Sequence, residues 1–231
     1  DSPPAVVLAP SSLLFKYTRL GQGAGLVHAM PGALWGLAMA GQLTPRVRKA
    51  WGGAVHRWSG RLAMFMACVL VWGYALIDRA GLHADEADFG GYGGFVAEAA
   101  DGAAAALGLA DILPPYNHGG LTILVAWFLF AGLRAWLAAV AHKSGEAGAL
   151  AEHRAWALRH AAAGLWVAGQ RVLFGFVRVA EILALGPEEA SSATVLSNTF
   201  YLCGYLTVLL YVALAELAIQ AESPTSEGQG G

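Results

Sequence analysis

Five stretches of roughly twenty residues, each dominated by aliphatic, aromatic and small side chains, recur along the chain. A run of that length is what an α-helix needs to cross a hydrocarbon layer about 30 Å thick, at about 1.5 Å per residue. The stretches cover residues 23–43, 62–77 (with a start nearer 54), 121–140, 155–183 and 195–218. In lipid each backbone polar group must be satisfied within the protein, which a helix does by itself. Composition agrees: only 13% of residues are charged, against about a quarter in soluble domains. The expected fold is all-α, a polytopic membrane helical bundle of about five transmembrane helices with a four-helix core. An N-terminal segment (1–22) precedes the bundle (23–218), which includes an outer loop at 79–120, and a polar tail (219–231) expected to be disordered follows it.

The distribution of charge between the spans gives an orientation. Arg46, Arg48, Lys49 and Arg57 separate the first two spans, and Lys143 and Arg154 separate the third and fourth. The loop between spans two and three is acidic instead, with Asp85, Glu86, Asp88, Glu98, Asp101 and Asp111. Lys and Arg concentrate in loops on the inner side. The N-terminus is therefore expected outside and the C-terminus inside, in a bacterial inner membrane or a mitochondrial or chloroplast membrane. Residues 96–109 have the spacing of a short helix on the outer surface. The fourth span carries Arg159, Arg171 and Arg178 and is expected to face other helices or water. A net charge of -2, with no basic stripe interleaved with aromatics, points away from nucleic acid.

Side chains that could carry chemistry are few. Cys68 and Cys203 fall in apolar runs and are expected as small buried hydrophobes. There is no phosphate-binding glycine loop, no H-E-x-x-H and no nucleophile elbow. Histidines remain, and their depths pair them. His28 and His118 belong to the outer ends of spans one and three, and His56 with His160, or His153 in its place, to the inner ends of spans two and four. Two imidazoles from facing helices at matched depth are what bis-histidine ligation of haem b requires. His153 and His160 are seven residues apart and share a helix face, and Arg171, eleven further on, falls close to it. Arg57, Arg61, Arg159 and Arg171 are candidates to hold haem propionates or a phospholipid phosphate. The competing explanation is an interfacial anchor, with Trp at headgroup level and Arg reaching phosphate. Glu181, three residues after Arg178, is expected to pair with it on one helix surface.

These motifs carry a family resemblance. His28 in the first span, His56-Arg57-Trp58-x-Gly60-Arg61 opening the second, His153-Arg154-x-Trp156-x-x-Arg159 opening a later one, and Arg171 beyond it resemble the domain of unknown function 2306 family of predicted multi-pass membrane proteins. The likeness covers about residues 23–178 and implies the topology without implying an activity. A looser likeness in layout is to transmembrane di-haem b cytochromes, which pair histidines on alternate helices of a four-helix core. Two functions are expected from this. The first is a haem-b-binding membrane protein in electron transfer, with His56 and His160 as iron ligands and His28 with His118 as a second pair. The alternative is a non-catalytic accessory or assembly subunit of a larger membrane complex, which binds membrane lipids and the helices of other membrane-protein subunits.

Overall fold

A computed structural model describes residues 22–82 and 116–222. The N-terminal segment, most of the loop at 79–120 with its expected surface helix, and the last nine residues lie outside the described residues. Six helices make up the described part: α1 (Gln22–Leu43), α2 (Pro45–Arg79), α3 (Tyr116–Lys143), α4 (Ala149–Leu185), the single turn α5 (Pro187–Ala190) and α6 (Ala193–Glu222). Three segments are long and apolar enough to span a membrane, Gly52–Arg79, Leu121–Lys143 and Ala193–Glu222. The protein is thus a helical membrane protein by the length and composition of these helices. Helices α1 and α4 are not among these three for identifiable reasons. Helix α1 has no charged residue but is diluted by Gly, Pro31, His28 and Gln42, while α4 carries Arg and Glu side chains along its length.

Helix boundaries follow local chemistry. Thr44 is extended and Pro45 starts α2, where a missing N–H costs nothing. Helix α2 is broken at Gly52, whose φ of 74° and ψ of 174° suit a residue without Cβ, so a short basic arm precedes the long apolar segment. Gly186, at φ 85°, ends α4, and Pro187 follows it.

Helix α1 packs along α2, α3 along α4, and α6 along α4, which also touches α1. Helix α4 is therefore the centre of the bundle. Its polar residues His160, Gln170 and Arg178 are buried, as expected for a helix whose polar face turns away from lipid. One core cluster joins α1 to α4 through Trp35, Ala38, Met39, Ala63, Ala67, Phe128, Ala161 and Ala163. A second joins α4 to α6 through Phe174, Phe200, Tyr201 and Cys203. In lipid there is little hydrophobic gain in joining two apolar helices, so close van der Waals contact and interhelical hydrogen bonds must hold them. Glycines allow the contact. A Cβ on Gly73 of α2 would lie 2.6 Å from the Val27 carbonyl oxygen of α1, and one on Gly164 would collide with the Trp35 indole.

The outside of the bundle is apolar. On α2, Trp58, Phe65 and Trp72 follow one another at seven-residue spacing, each more than 60% exposed. Val172, Phe176, Val179 and Leu183, spaced by three or four residues, form an exposed apolar face on α4. Cys203 is buried as expected, but Cys68 is exposed, because it lies on the outward side of α2. An apolar run identifies a span without identifying which of its residues face the neighbouring helices.

Candidate functional site

His160 lies at the middle of the four-helix core. It is the twelfth residue of α4, because the helix begins at Ala149, six residues before the expected start of the span. The imidazole is 2% exposed. Its Nδ1 is 2.9 Å from the Phe128 carbonyl oxygen of α3, and its Nε2 is 3.1 Å from the indole nitrogen of Trp35 on α1. A carbonyl can only accept and an indole N–H can only donate, so the two partners together fix the tautomer: Nδ1–H donates to Phe128 and Nε2 accepts from Trp35. The ring also stacks on Phe128, with centroids 4.2 Å apart, and meets the edge of Trp35. The approach to α3 is open because residue 132 is glycine: a Cβ there would stand 3.0 Å from His160 Cε1 and Nδ1. One side chain thus ties three helices.

The same device recurs. His153 places Nδ1 2.8 Å from the Ala135 carbonyl oxygen. His153 and His160 share a face of α4, as their spacing predicts, and reach carbonyls that are themselves seven residues apart on the antiparallel α3. Near the other end of the bundle, His28 of α1 places Nδ1 3.1 Å from the Leu70 carbonyl oxygen of α2, beside the close approach at Gly73.

Most arginines of the bundle are engaged too. Arg159 makes a two-pronged ion pair with Glu216 of α6, at 2.7 and 2.9 Å, while its guanidinium lies 4.8 Å from the Trp156 ring centroid. Arg134 of α3 pairs with Glu152 and faces the same indole. At the other end of α4, Arg178 pairs with Glu181 at 2.7 Å, as their i,i+3 spacing predicts, and donates to the Ala190 carbonyl. Glu181 accepts from Thr199 as well. Between these ends, Gln170 donates to the Phe200 carbonyl at 3.0 Å, and the Arg171 guanidinium lies 5.0 Å from the Phe200 ring centroid.

These contacts bear on the expected haem site residue by residue. For His160 to ligate iron it would have to give up the Trp35 bond, so the expected His56–His160 pair does not fit this arrangement. Arg159 is directed to Glu216, and Arg171 is turned to α6 while His160 is turned to α1 and α3. His56 is half-buried one turn beyond the break in α2, and its carbonyl accepts from Gln42 at 2.6 Å. Arg57 and Arg61 are exposed, with the Arg61 guanidinium 5.0 Å from the Trp58 ring centroid. His118 falls in the first turn of α3. Among the described residues no group of three or more His, Cys, Asp or Glu side chains is arranged to hold a metal ion.

Trp35, Glu216 and Gln170 complete these ties and carry no sequence motif. For Trp35 a signal was present. Membrane tryptophans concentrate at headgroup level, and one in the middle of a charge-free helix needs a buried partner for its N–H.

Compared with protein-family models, curated proteins and solved structures, the chain matches none. The likeness to the domain of unknown function 2306 family rests on its motif residues alone.

Proposed function

We propose that the chain is a five-helix integral membrane protein that acts as a non-catalytic accessory or assembly subunit of a larger membrane complex. The observation that carries this reading is the Trp35–His160–Phe128 tie, in which the most buried histidine among the described residues uses both ring nitrogens to hold α1, α3 and α4 together. The pairing of Arg159 with Glu216, Arg178 with Glu181 and Arg134 with Glu152 supports it in the same way. Five crossings are supported by the charge-free α1 and by the spacing of charges on α4. Arg159 and Arg178 are nineteen residues apart, about 28 Å of helix, close to the thickness of a hydrocarbon core. Purification from the native membrane in mild detergent, followed by native electrophoresis, tests the role. The chain should migrate in a discrete complex with partners in fixed stoichiometry; migration of the chain alone counts against the reading.

Haem b binding remains the second reading, favoured by one observation. With Nδ1–H donated to a backbone carbonyl, His153 keeps Nε2 as its acceptor nitrogen, the orientation that metal-ligating histidines commonly adopt. An absorption spectrum of protein made with ample haem supply tests it, with loss of the reduced α-band in His153→Ala as the expected result and a colourless protein as the refutation.

A further inference from the structure

The cations of the bundle divide into two kinds. Arg134, Arg159 and Arg178 are matched by carboxylates of neighbouring turns or helices. Around the α3–α4 connection both signs occur together, with Lys143, Glu146, Glu152 and Arg154. The α1–α2 connection differs. Between Asp1 and Asp78 the sequence has no Asp or Glu at all, and Arg46, Lys49, Arg57 and Arg61 are all exposed. Among the described residues none of these four has a carboxylate partner.

The surroundings of these cations are ordered. The break at Gly52 turns the short arm carrying Arg46 and Lys49 away from the line of the long segment carrying Arg57 and Arg61. Gln42, at the end of α1, donates to the His56 carbonyl and to the Ser59 hydroxyl, which pins the first turns beyond the break to α1. The Arg57 guanidinium folds back over Gly53, where a Cβ would stand 3.2 Å from Nη1. Arg61 lies over the ring of Trp58, which is 68% exposed. An exposed indole beside stacked and unpaired cations, at the boundary of an apolar helix, has the chemistry of a headgroup layer: the ring suits the interface and the cations suit phosphate.

We infer that the α1–α2 connection, through Arg46, Lys49, Arg57 and Arg61 around Trp58, is a docking surface for the phosphates of anionic phospholipids. This surface is independent of the accessory role, since none of its four cations takes part in the ion pairs that join helices. The corresponding motif on α4 does not form a second such surface, because Arg159 is committed to Glu216 and Trp156 lies among Trp127, Phe130 and two guanidinium groups.

The test is native mass spectrometry of the full chain in a charge-neutral detergent, titrated with dioleoylphosphatidylglycerol or with dioleoylphosphatidylcholine. The unaltered chain should retain phosphatidylglycerol at concentrations that leave no phosphatidylcholine bound. Arg57→Gln/Arg61→Gln should weaken that association on the order of thirtyfold, from the typical gain per cation at an anionic surface. Arg57→Lys/Arg61→Lys, which keeps the charge, should retain it and controls for folding. Lys143→Gln, an exposed cation of the other connection, should leave it unchanged. Equal retention of the two lipids by the unaltered chain would overturn the inference, as would an equal loss in Lys143→Gln. Displacement of phosphatidylglycerol by equimolar inorganic phosphate would assign the surface to a soluble anion and overturn it too.

Discussion

Replacing Trp35 by Phe removes the indole N–H and leaves most of the ring. In the folded bundle the Nε2 of His160 then faces an apolar edge, while Nδ1–H still donates to Phe128. A buried acceptor left without a partner costs about 1–3 kcal/mol in a water-soluble protein. Measured interhelical side-chain bonds in membranes are weaker, averaging about 0.6 and reaching about 1.7 kcal/mol, because the unfolded chain in the membrane also finds partners. The Trp35–His160 bond is enclosed by apolar side chains, with both residues 2% exposed, which places it in the upper part of that range, at about 1–1.7 kcal/mol. The single substitution also loses packing against Gly164 and Phe128, so the hydrogen bond must be isolated by a double-mutant cycle with His160→Phe, which keeps a ring to stack on Phe128. The assay is equilibrium unfolding of the full chain in mixed micelles as the mole fraction of denaturing detergent rises. A coupling energy of about 1 kcal/mol or more supports the tie. A coupling below about 0.3 kcal/mol, within the usual additivity error, would refute the argument that His160 holds α1 to the rest of the core.

Gly73→Leu should separate α1 from α2, because even a Cβ at this position comes within 2.6–2.8 Å of α1 backbone atoms. Interhelical crosslinking of cysteines introduced on α1 and α2 should fall sharply, and unchanged crosslinking would contradict the packing. Removing either partner of the Arg159–Glu216 pair, by Arg159→Met or Glu216→Met, should destabilise the bundle more than removing both, with a coupling of about 0.5–1 kcal/mol for this half-exposed pair; strictly additive effects would dissolve the pair. In detergent a small apolar maleimide that enters the micelle should label Cys68 faster than Cys203, since Cys68 is on the outer face of α2 and Cys203 is buried between helices. Equal labelling rates would rule out the described packing of α6 on α4.

What the sequence conveyed depends on the range over which each interaction acts. Helix formation and the apolar spans are local, and the run lengths located them to within a turn or so for the third and fifth. The Arg178–Glu181 pair lies within one helix turn, and the shared face of His153 and His160 follows from helical period alone. The break in α2 has no distinct sequence signature, because Gly52-Gly53 has the composition of any small-residue stretch and Gly52's positive φ is a property of the fold. Which partners meet across helices is not encoded locally: Trp35 in the middle of a charge-free helix signals a buried partner without naming it, Trp35 and His160 are 125 residues apart, and Arg159 and Glu216 are 57 apart. The expected role of His160 depended on its depth. The first turns of α4, with Glu152 and Arg154, are too polar to register as part of a span, so composition puts the start of the span near residue 155 and the histidine near a helix end. Once α4 starts at Ala149, the same residue lies three turns in, where a polar ring must be satisfied by the neighbouring helices.

The measurement that bears most directly on the structural role of His160 is a reduced-minus-oxidised absorption spectrum of the purified full chain and of His160→Phe, both made with ample haem supply. If His160 is committed to Trp35 and Phe128, the two spectra agree, and His160→Phe differs only in its lower resistance to denaturing detergent. A reduced α-band at one haem per chain that disappears in His160→Phe, while the variant keeps its helix content, would show that His160 binds iron and contradict the account.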